Sequence, residues 1–214
     1  MSADYNHHMR VALMLVCALG LSACTSGPQP MDDTAYDRDI LAGRAAKDAM
    51  FKTSSESPLL PENRATFTGL VYYPVNSLYR MAARLDEDRS NTSIIELSTS
   101  STDIRRMQRV GLLRFTFSGQ PQALTAFADE GTVTITRLFV PFRDSTSKDA
   151  TYAGGRYLDL TRTSTGLYDL DFNHAYNPYC VYNIAYSCPV PPQENTLPLA
   201  IFAGEKLPTG YKTQ

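Results

Sequence analysis

The chain has no tryptophan, only three histidines and only four cysteines in 214 residues. That shortage leaves little for a metal centre. Cys180 and Cys188 with His174 would supply three ligands at irregular spacing, one short of a closed tetrahedral zinc site. No metal ligands and no other cofactor are expected. There is no excess of positive charge either: 20 Lys and Arg stand against 22 Asp and Glu, for a net charge of −2. No basic stripe breaks that balance, so nucleic acid is not an expected partner. No apolar run approaches the about 20 residues that a membrane-crossing helix needs. Gly154-Gly155 does not lie between a strand and a helix, as a phosphate-cradling glycine loop would. Nothing fixes a nucleophile, a base and an orienting group together, and no catalytic residue is assigned.

What is present begins at the N-terminus. Arg10 precedes an apolar run from Val11 to Gly20, which ends in Leu21-Ser22-Ala23-Cys24. A basic start, a short apolar stretch and small residues before the cut make an export signal. Ending on cysteine, residues 1–23 read as a bacterial lipoprotein signal, with Cys24 carrying the lipid. A short anchor or a buried helix is the competing reading. The run is too short to span, and it lacks polar residues at helical spacing. Met9 makes a more usual start than Met1, which places His7 and His8 upstream. Residues 24–33 hold Gly27, Pro28 and Pro30 without periodicity and read as a tether. Residues 34–214 are one domain by length. The expected location is the cell envelope, anchored to a membrane through Cys24 and facing the periplasm. Thr25 after the cysteine favours the outer membrane where there are two.

Thr34 to Phe51 predicts a helix with a sparse apolar stripe of Tyr36, Ile40 and Phe51. Ser57-Pro58 breaks it. From Tyr79 the period changes to two. Strands are expected over Tyr79–Leu85, Arg109–Phe117, Ala123–Phe127, Thr132–Ile135, Leu138–Phe142, Tyr157–Leu160, Gly166–Phe172 and Leu197–Ala203. Ser118-Gly119-Gln120-Pro121 supplies a hairpin turn. The fold class is therefore mainly β: a compact barrel or sandwich of short antiparallel strands with an N-terminal helix and a long C-terminal Tyr/Asn/Pro loop. That loop, from Asp171 to Asn195, has neither helical nor strand period. A long irregular loop in a compact domain is a functional segment or a packed lid.

Several segments carry a resemblance. Gly69-Leu70 with Tyr72-Tyr73-Pro74, Tyr79-Arg80, Pro141-Phe142-Arg143-Asp144 and Tyr152 with Gly154-Gly155-Arg156-Tyr157 come first. Asp171-Phe172-Asn173, Ala175 through Cys180, Tyr182-Asn183, Cys188-Pro189, Pro191-Pro192, Glu194-Asn195, Leu197-Pro198 and Ala203-Gly204-Glu205-Lys206 follow. Together they resemble the family called domain of unknown function 1684, over roughly Tyr36 to Lys206. The resemblance implies a mainly β domain behind an N-terminal helix and implies no reaction. His174 departs from the family pattern, which more often has Lys, Arg or an apolar residue there, and so makes a poor shared base.

The candidate ligand-binding residues are Arg143, Asp144, Tyr152, Arg156, Asn173, Tyr176, Asn177, Tyr182, Asn183 and Glu194. Tyrosine offers a flat apolar face with a polar tip. Asparagine donates and accepts in one plane, and arginine grips a carboxylate with two parallel bonds. Arg143, Arg156, Tyr176, Asn177 and Tyr182 are expected to converge at one end of the β domain. Three readings compete for these residues. They hold a small-molecule or envelope ligand, they serve an enzyme with His174 as base or Cys180 as nucleophile, or they pack loops, with Arg156 paired to Asp144 or Asp171. The functional expectation is a binding or scaffolding module, with an uncharacterised enzyme as the alternative. Cys180 and Cys188 are expected to form a disulfide if exported, against the alternative of two buried thiols.

Overall fold

The computed structural model describes residues 33–88 and 93–211. The expected signal, the lipidation site Cys24 and all of the tether but Asp33 lie outside them. Contacts divide the chain into residues 1–32 and residues 33–214, and the fold below is that of the second unit.

Helix α1 spans Asp33–Thr53. Its docking face is only partly apolar. Ile40 and Phe51 are buried, and Tyr36, Arg44 and Lys47 complete the same face at spacings of three and four. These three dock through polar ends. Tyr36 donates to Asp171 Oδ2 at 2.8 Å. Arg44 Nη1 donates to the Tyr73 carbonyl at 2.9 Å, and Lys47 Nζ pairs with Glu205 at 2.5 Å. The apolar stripe is sparse because half of the contact is made by hydrogen bonds. A single helical turn, α2 (Pro61–Arg64), follows. It starts on proline, whose missing N–H costs nothing in a first turn.

Seven antiparallel strands build one sheet: β1 (Arg80–Glu87), β2 (Ile94–Ser98), β3 (Ile104–Phe117), β4 (Gln120–Asp129), β5 (Arg137–Phe142), β6 (Arg156–Thr161) and β7 (Tyr168–Asp171). The order is β6-β5-β4-β3-β1-β7. The long β3 pairs β2 along its first half and β1 along its second. The outer strands β6 and β7 are consecutive in the chain, and Arg162 bridges to Tyr168 between them. The sheet is thus a nearly closed barrel, the first of the two architectures the strand pattern allowed. Ser118 and Gly119 both have positive φ, 49° and 76°. A two-residue turn of that kind matches the right-handed twist of its strands. Gln120 and Pro121, expected in the turn, begin β4 instead.

Alternate residues point inward. Leu113, Leu124, Val140, Leu158 and Leu170 are fully buried, and Phe172 and Ile201 fill the barrel end. The intervening residues face outward, where Leu97, Met107 and Phe127 form a second, smaller cluster with Ile95 and Phe139 beside them.

Two expected strands are absent. Thr132–Ile135 is a loop whose Val133 is almost wholly exposed. Leu197–Ala203 is irregular, with Leu197, Ile201 and Ala203 buried and a proline at 198 that lacks a donor. Leu197 and Leu199 pair with the backbone of Arg143 and Ser145, and side chains take the groups further on. Arg156 Nη2 donates to the Ile201 carbonyl at 3.0 Å, Arg156 Nη1 donates to Ala203, and Asp144 Oδ2 accepts the Ile201 N–H at 2.7 Å. Buried backbone must be paired with something, and here an ion pair stands in for a neighbouring strand. Strand β2 was not expected. Its Leu97 alternates correctly, but flanking serines and threonines hide the pattern.

Candidate functional site

Core residues Leu138 and Val140 point into the barrel, so Arg137 and Phe139 of β5 face out. By the same alternation β3 presents Arg105 and Met107, and β6 presents Tyr157 and Asp159. The loop from Tyr176 to Pro189 folds over this outer face. It is tied down at both ends. Tyr176 exchanges backbone hydrogen bonds with Tyr157 at 2.9 and 3.0 Å. Cys188 accepts the Ser100 N–H at 2.8 Å, just beyond the end of β2.

Loop and sheet enclose a cleft of about 430 Å³, within the size range of small-molecule sites. Its lining is largely aromatic: Phe139, Tyr157, Tyr176, Tyr179 and Tyr186. Phe139 and Tyr157 meet edge to face at 4.8 Å, Tyr157 and Tyr176 at 5.7 Å, Tyr179 and Tyr186 at 5.3 Å. Edge-to-face contact sets positive ring edges against negative faces. Tyr157 donates to the Pro189 carbonyl, and Tyr176 donates to Asp159 Oδ2 at 2.7 Å. Burial pushes both phenols well above their ordinary range, so they stay neutral donors. Interleaved with them are the exposed charged side chains of Arg105, Asp129, Arg137 and Asp159. Arg105 pairs with Asp129 at 3.5 Å. Arg137 has no ion-pair partner among the described residues.

A second cluster lies behind Tyr176. Glu205 is fully buried. Its Oε1 meets Lys47, while its Oε2 accepts the Asn177 N–H at 2.8 Å and the Tyr182 hydroxyl at 3.0 Å. Asn177 Nδ2 also donates to the Lys206 carbonyl at 2.8 Å. Lys47 sits 4.7 Å from the centre of the Tyr176 ring. One buried carboxylate thus fastens helix α1, the Tyr/Asn/Pro loop and the C-terminal segment together. A smaller cavity of about 230 Å³ beside it is lined by Arg44, Lys47, Tyr72, His174, Tyr176 and Glu205.

The expected site residues fall into separate groups. Tyr176, Asn177 and Tyr182 surround Glu205. Arg156 reaches the backbone of that same residue, its Nη1 3.2 Å from the Glu205 carbonyl. It is otherwise engaged in the barrel end, paired with Asp144 at 3.3 Å with both side chains buried. Arg143 is apart from them, holding the carbonyls of Pro191 at 2.9 Å and Ala153 at 3.3 Å. Asn173 and Asp171 anchor α1 through the Tyr36 hydroxyl. Asn183 caps its own turn by accepting from Ala185 N–H at 3.0 Å, and Glu194 lies exposed in a short turn. Tyr152 stacks edge-on against Tyr211 at 6.1 Å. His174 is exposed, 3.7 Å from Asp171, and lines the smaller cavity, whereas Cys188 lines the larger.

Cys180 and Cys188 are free thiols in hydrogen-bond contact. The Cys180 N–H donates to Cys188 Sγ at 3.0 Å. The hydrogen bond from Cys188 holds the Cys180 thiol down at about 7, helped by the Ser100 and Tyr152 hydroxyls against the opposing effect of burial. The same bond, together with burial, pushes Cys188 up.

The residues missed by the sequence reading are Arg105, Asp129, Arg137, Phe139 and Asp159 of the cleft, and Lys47 and Glu205 behind it. A signal for the cleft existed: Arg137 with Phe139, and Tyr157 with Asp159, are the outward halves of two amphipathic strands. Outward aromatics at two adjacent strands need a cover.

A family model described as protein of unknown function (DUF1684) matches residues 65–206. Among solved structures, the chain is similar to an uncharacterized protein of Haloarcula marismortui determined by solution NMR. The two are 36% identical over 82% of this chain and 96% of that one, with a TM-score of 0.60. No curated protein matches.

Proposed function

The chain belongs to this DUF1684 family of unknown function, and from that premise we propose that it is a lipid-anchored cell-envelope binding module whose ligand occupies the tyrosine-lined cleft. The observation that carries the reading is the cleft itself, lined by five aromatic side chains and by Arg137, which has no ion-pair partner among the described residues. Tyrosine faces stack on sugar or peptide apolar surface, and Arg137 and Asp159 offer a charge of each sign to polar groups. The anchor rests on Leu21-Ser22-Ala23-Cys24, whose cysteine would hold the module at a membrane through its acyl chains.

Soluble muropeptides, which join a disaccharide to a short peptide, are the probe. Thermal melting of the full chain in detergent should rise with muropeptide, by the equivalent of about 2.7 kcal/mol at a hundred times Kd. Arg137→Ala should melt normally, because the side chain is exposed, and lose the ligand response. A wild-type chain whose melting does not respond, or an Arg137→Ala variant that responds equally, overturns the cleft reading. Cys24→Ser should leave the detergent phase or keep its signal uncut; unchanged partitioning of a processed variant overturns the anchor.

A further inference from the structure

The loop that covers the cleft carries two sulfurs in contact, and their surroundings treat them unequally. Cys180 is half-buried and Cys188 is buried. The Cys180 N–H donates to Cys188 Sγ at 3.0 Å, which sets the second sulfur against the backbone of the first. Ser100 Oγ also accepts the Cys188 N–H at 3.1 Å, so the end of β2 holds the pair in register. Between them the chain bulges outward: Ile184 is three-quarters exposed and Ala185 to Ser187 are exposed. The titratable side chains facing the pair are Tyr152, Tyr157 and Tyr211, all neutral phenols that leave the sulfur chemistry to the two cysteines.

We propose that Cys180 and Cys188 form a thiol–disulfide exchange site, with Cys180 as the attacking sulfur, Cys188 as the resolving sulfur, and a low-molecular-weight disulfide as the co-reactant. The step balances as follows. The Cys180 thiolate attacks one sulfur of R–S–S–R, that bond breaks, and the leaving thiolate takes a proton to become R–SH. Cys188 then gives its proton to solvent and attacks the Cys180 sulfur. The mixed disulfide breaks, and a second R–SH leaves. The two cysteines lose two protons and two electrons, and one small disulfide is reduced to two thiols. Asymmetry decides the order: the half-buried Cys180 meets the disulfide, and the buried Cys188, its sulfur against the Cys180 backbone, is in place for the second step.

The neighbouring Cys188 thiol holds the Cys180 thiol below its ordinary range, which raises the thiolate share at neutral pH by more than it lowers the nucleophilicity of each thiolate.

The test uses the full chain, reduced and freed of reductant, then exposed to oxidised glutathione at neutral pH and mapped by peptide mass. Wild type should end with Cys180 bonded to Cys188 and no retained glutathione. Cys188→Ser should accumulate one glutathione on Cys180. Cys180→Ser should leave Cys188 unmodified while folded and modified once denatured. Glutathione appearing first on Cys188, or a folded Cys188→Ser chain that reacts at Cys180 only after denaturation, overturns the proposal. Should either variant fail to fold, limited iodoacetamide on wild type decides: Cys180 must label before Cys188, and equal or reversed order overturns the assignment. The site does not rest on the cleft's ligand, so exchange without muropeptide binding sinks only the cleft, and binding without exchange sinks only the thiol site.

Discussion

Replacing Arg156 with alanine tests whether the central arginine is structural. Its side chain and that of Asp144 are each about 1% exposed. The guanidinium donates to Asp144 Oδ1 and to the carbonyls of Ile201, Ala203 and Glu205. Removing it leaves a buried carboxylate without its cation and three carbonyls without a donor. Asp144 retains the hydroxyl of Thr146 at 2.9 Å and the N–H of Ile201 at 2.7 Å, so its charge is not wholly abandoned. Breaking one side of a buried pair costs about 3–5 kcal/mol. In a domain of this size each kcal/mol moves the melting temperature by about 2–4 °C, so Arg156→Ala should melt roughly 10 °C lower. With no tryptophan in the chain, urea unfolding is best followed by far-UV circular dichroism. Arg156→Lys should fall between, since a lysine keeps the charge and loses the fork. Arg156→Met with Asp144→Asn should recover part of the loss, because no charge is then stranded. A loss below about 1 kcal/mol for Arg156→Ala, or no recovery in the double variant, would refute the reasoning.

Asn195→Ala should cost about 2–4 kcal/mol, read as a lower urea midpoint at unchanged slope. Asn195 is fully buried and bridges β4 to β5, accepting from Thr125 N–H at 2.7 Å and donating to the carbonyls of Thr125 at 2.8 Å and Pro141 at 2.7 Å. Gly204→Ala should cost at least about 2 kcal/mol in melting experiments, because φ is +76° and a Cβ would lie 2.5 Å from the Ala175 carbonyl oxygen and 2.7 Å from that of Phe172. Gly119→Ala shares that φ and meets nothing within 4 Å, so it should cost only the backbone strain of about 1 kcal/mol.

The helix, most of the strands and the Ser118-Gly119 turn were legible because each is written in local periodicity. The Tyr/Asn/Pro loop was legible as a segment worth attention, and it is the cover of the cleft. The floor beneath it was not. Arg105, Arg137 and Asp159 look like ordinary solvated faces of three strands, and only the register brings them together. Glu205 and Lys47 stand 158 positions apart, beyond any pattern a window can see. Leu197–Ala203 misled because an apolar, extended stretch reads as a strand whether its backbone meets a neighbouring chain or a guanidinium. Arg156 beside Asp144 was foreseen as one of two pairings, from charge alone; its hold on the carbonyls of Ile201, Ala203 and Glu205 was not.

The clamp of Arg156 on residues 201–205 also bears on when the domain can fold. Every strand precedes Ile201 in the chain, so the sheet can be complete in sequence while its central arginine still faces no carbonyls. Until that segment arrives, the barrel end is open, Glu205 is not there to receive Lys47, and helix α1 lacks one of its fastenings. Contacts this distant in sequence are slow to form. A polypeptide emerging from the ribosome would therefore stay pliant until nearly the whole domain had been made.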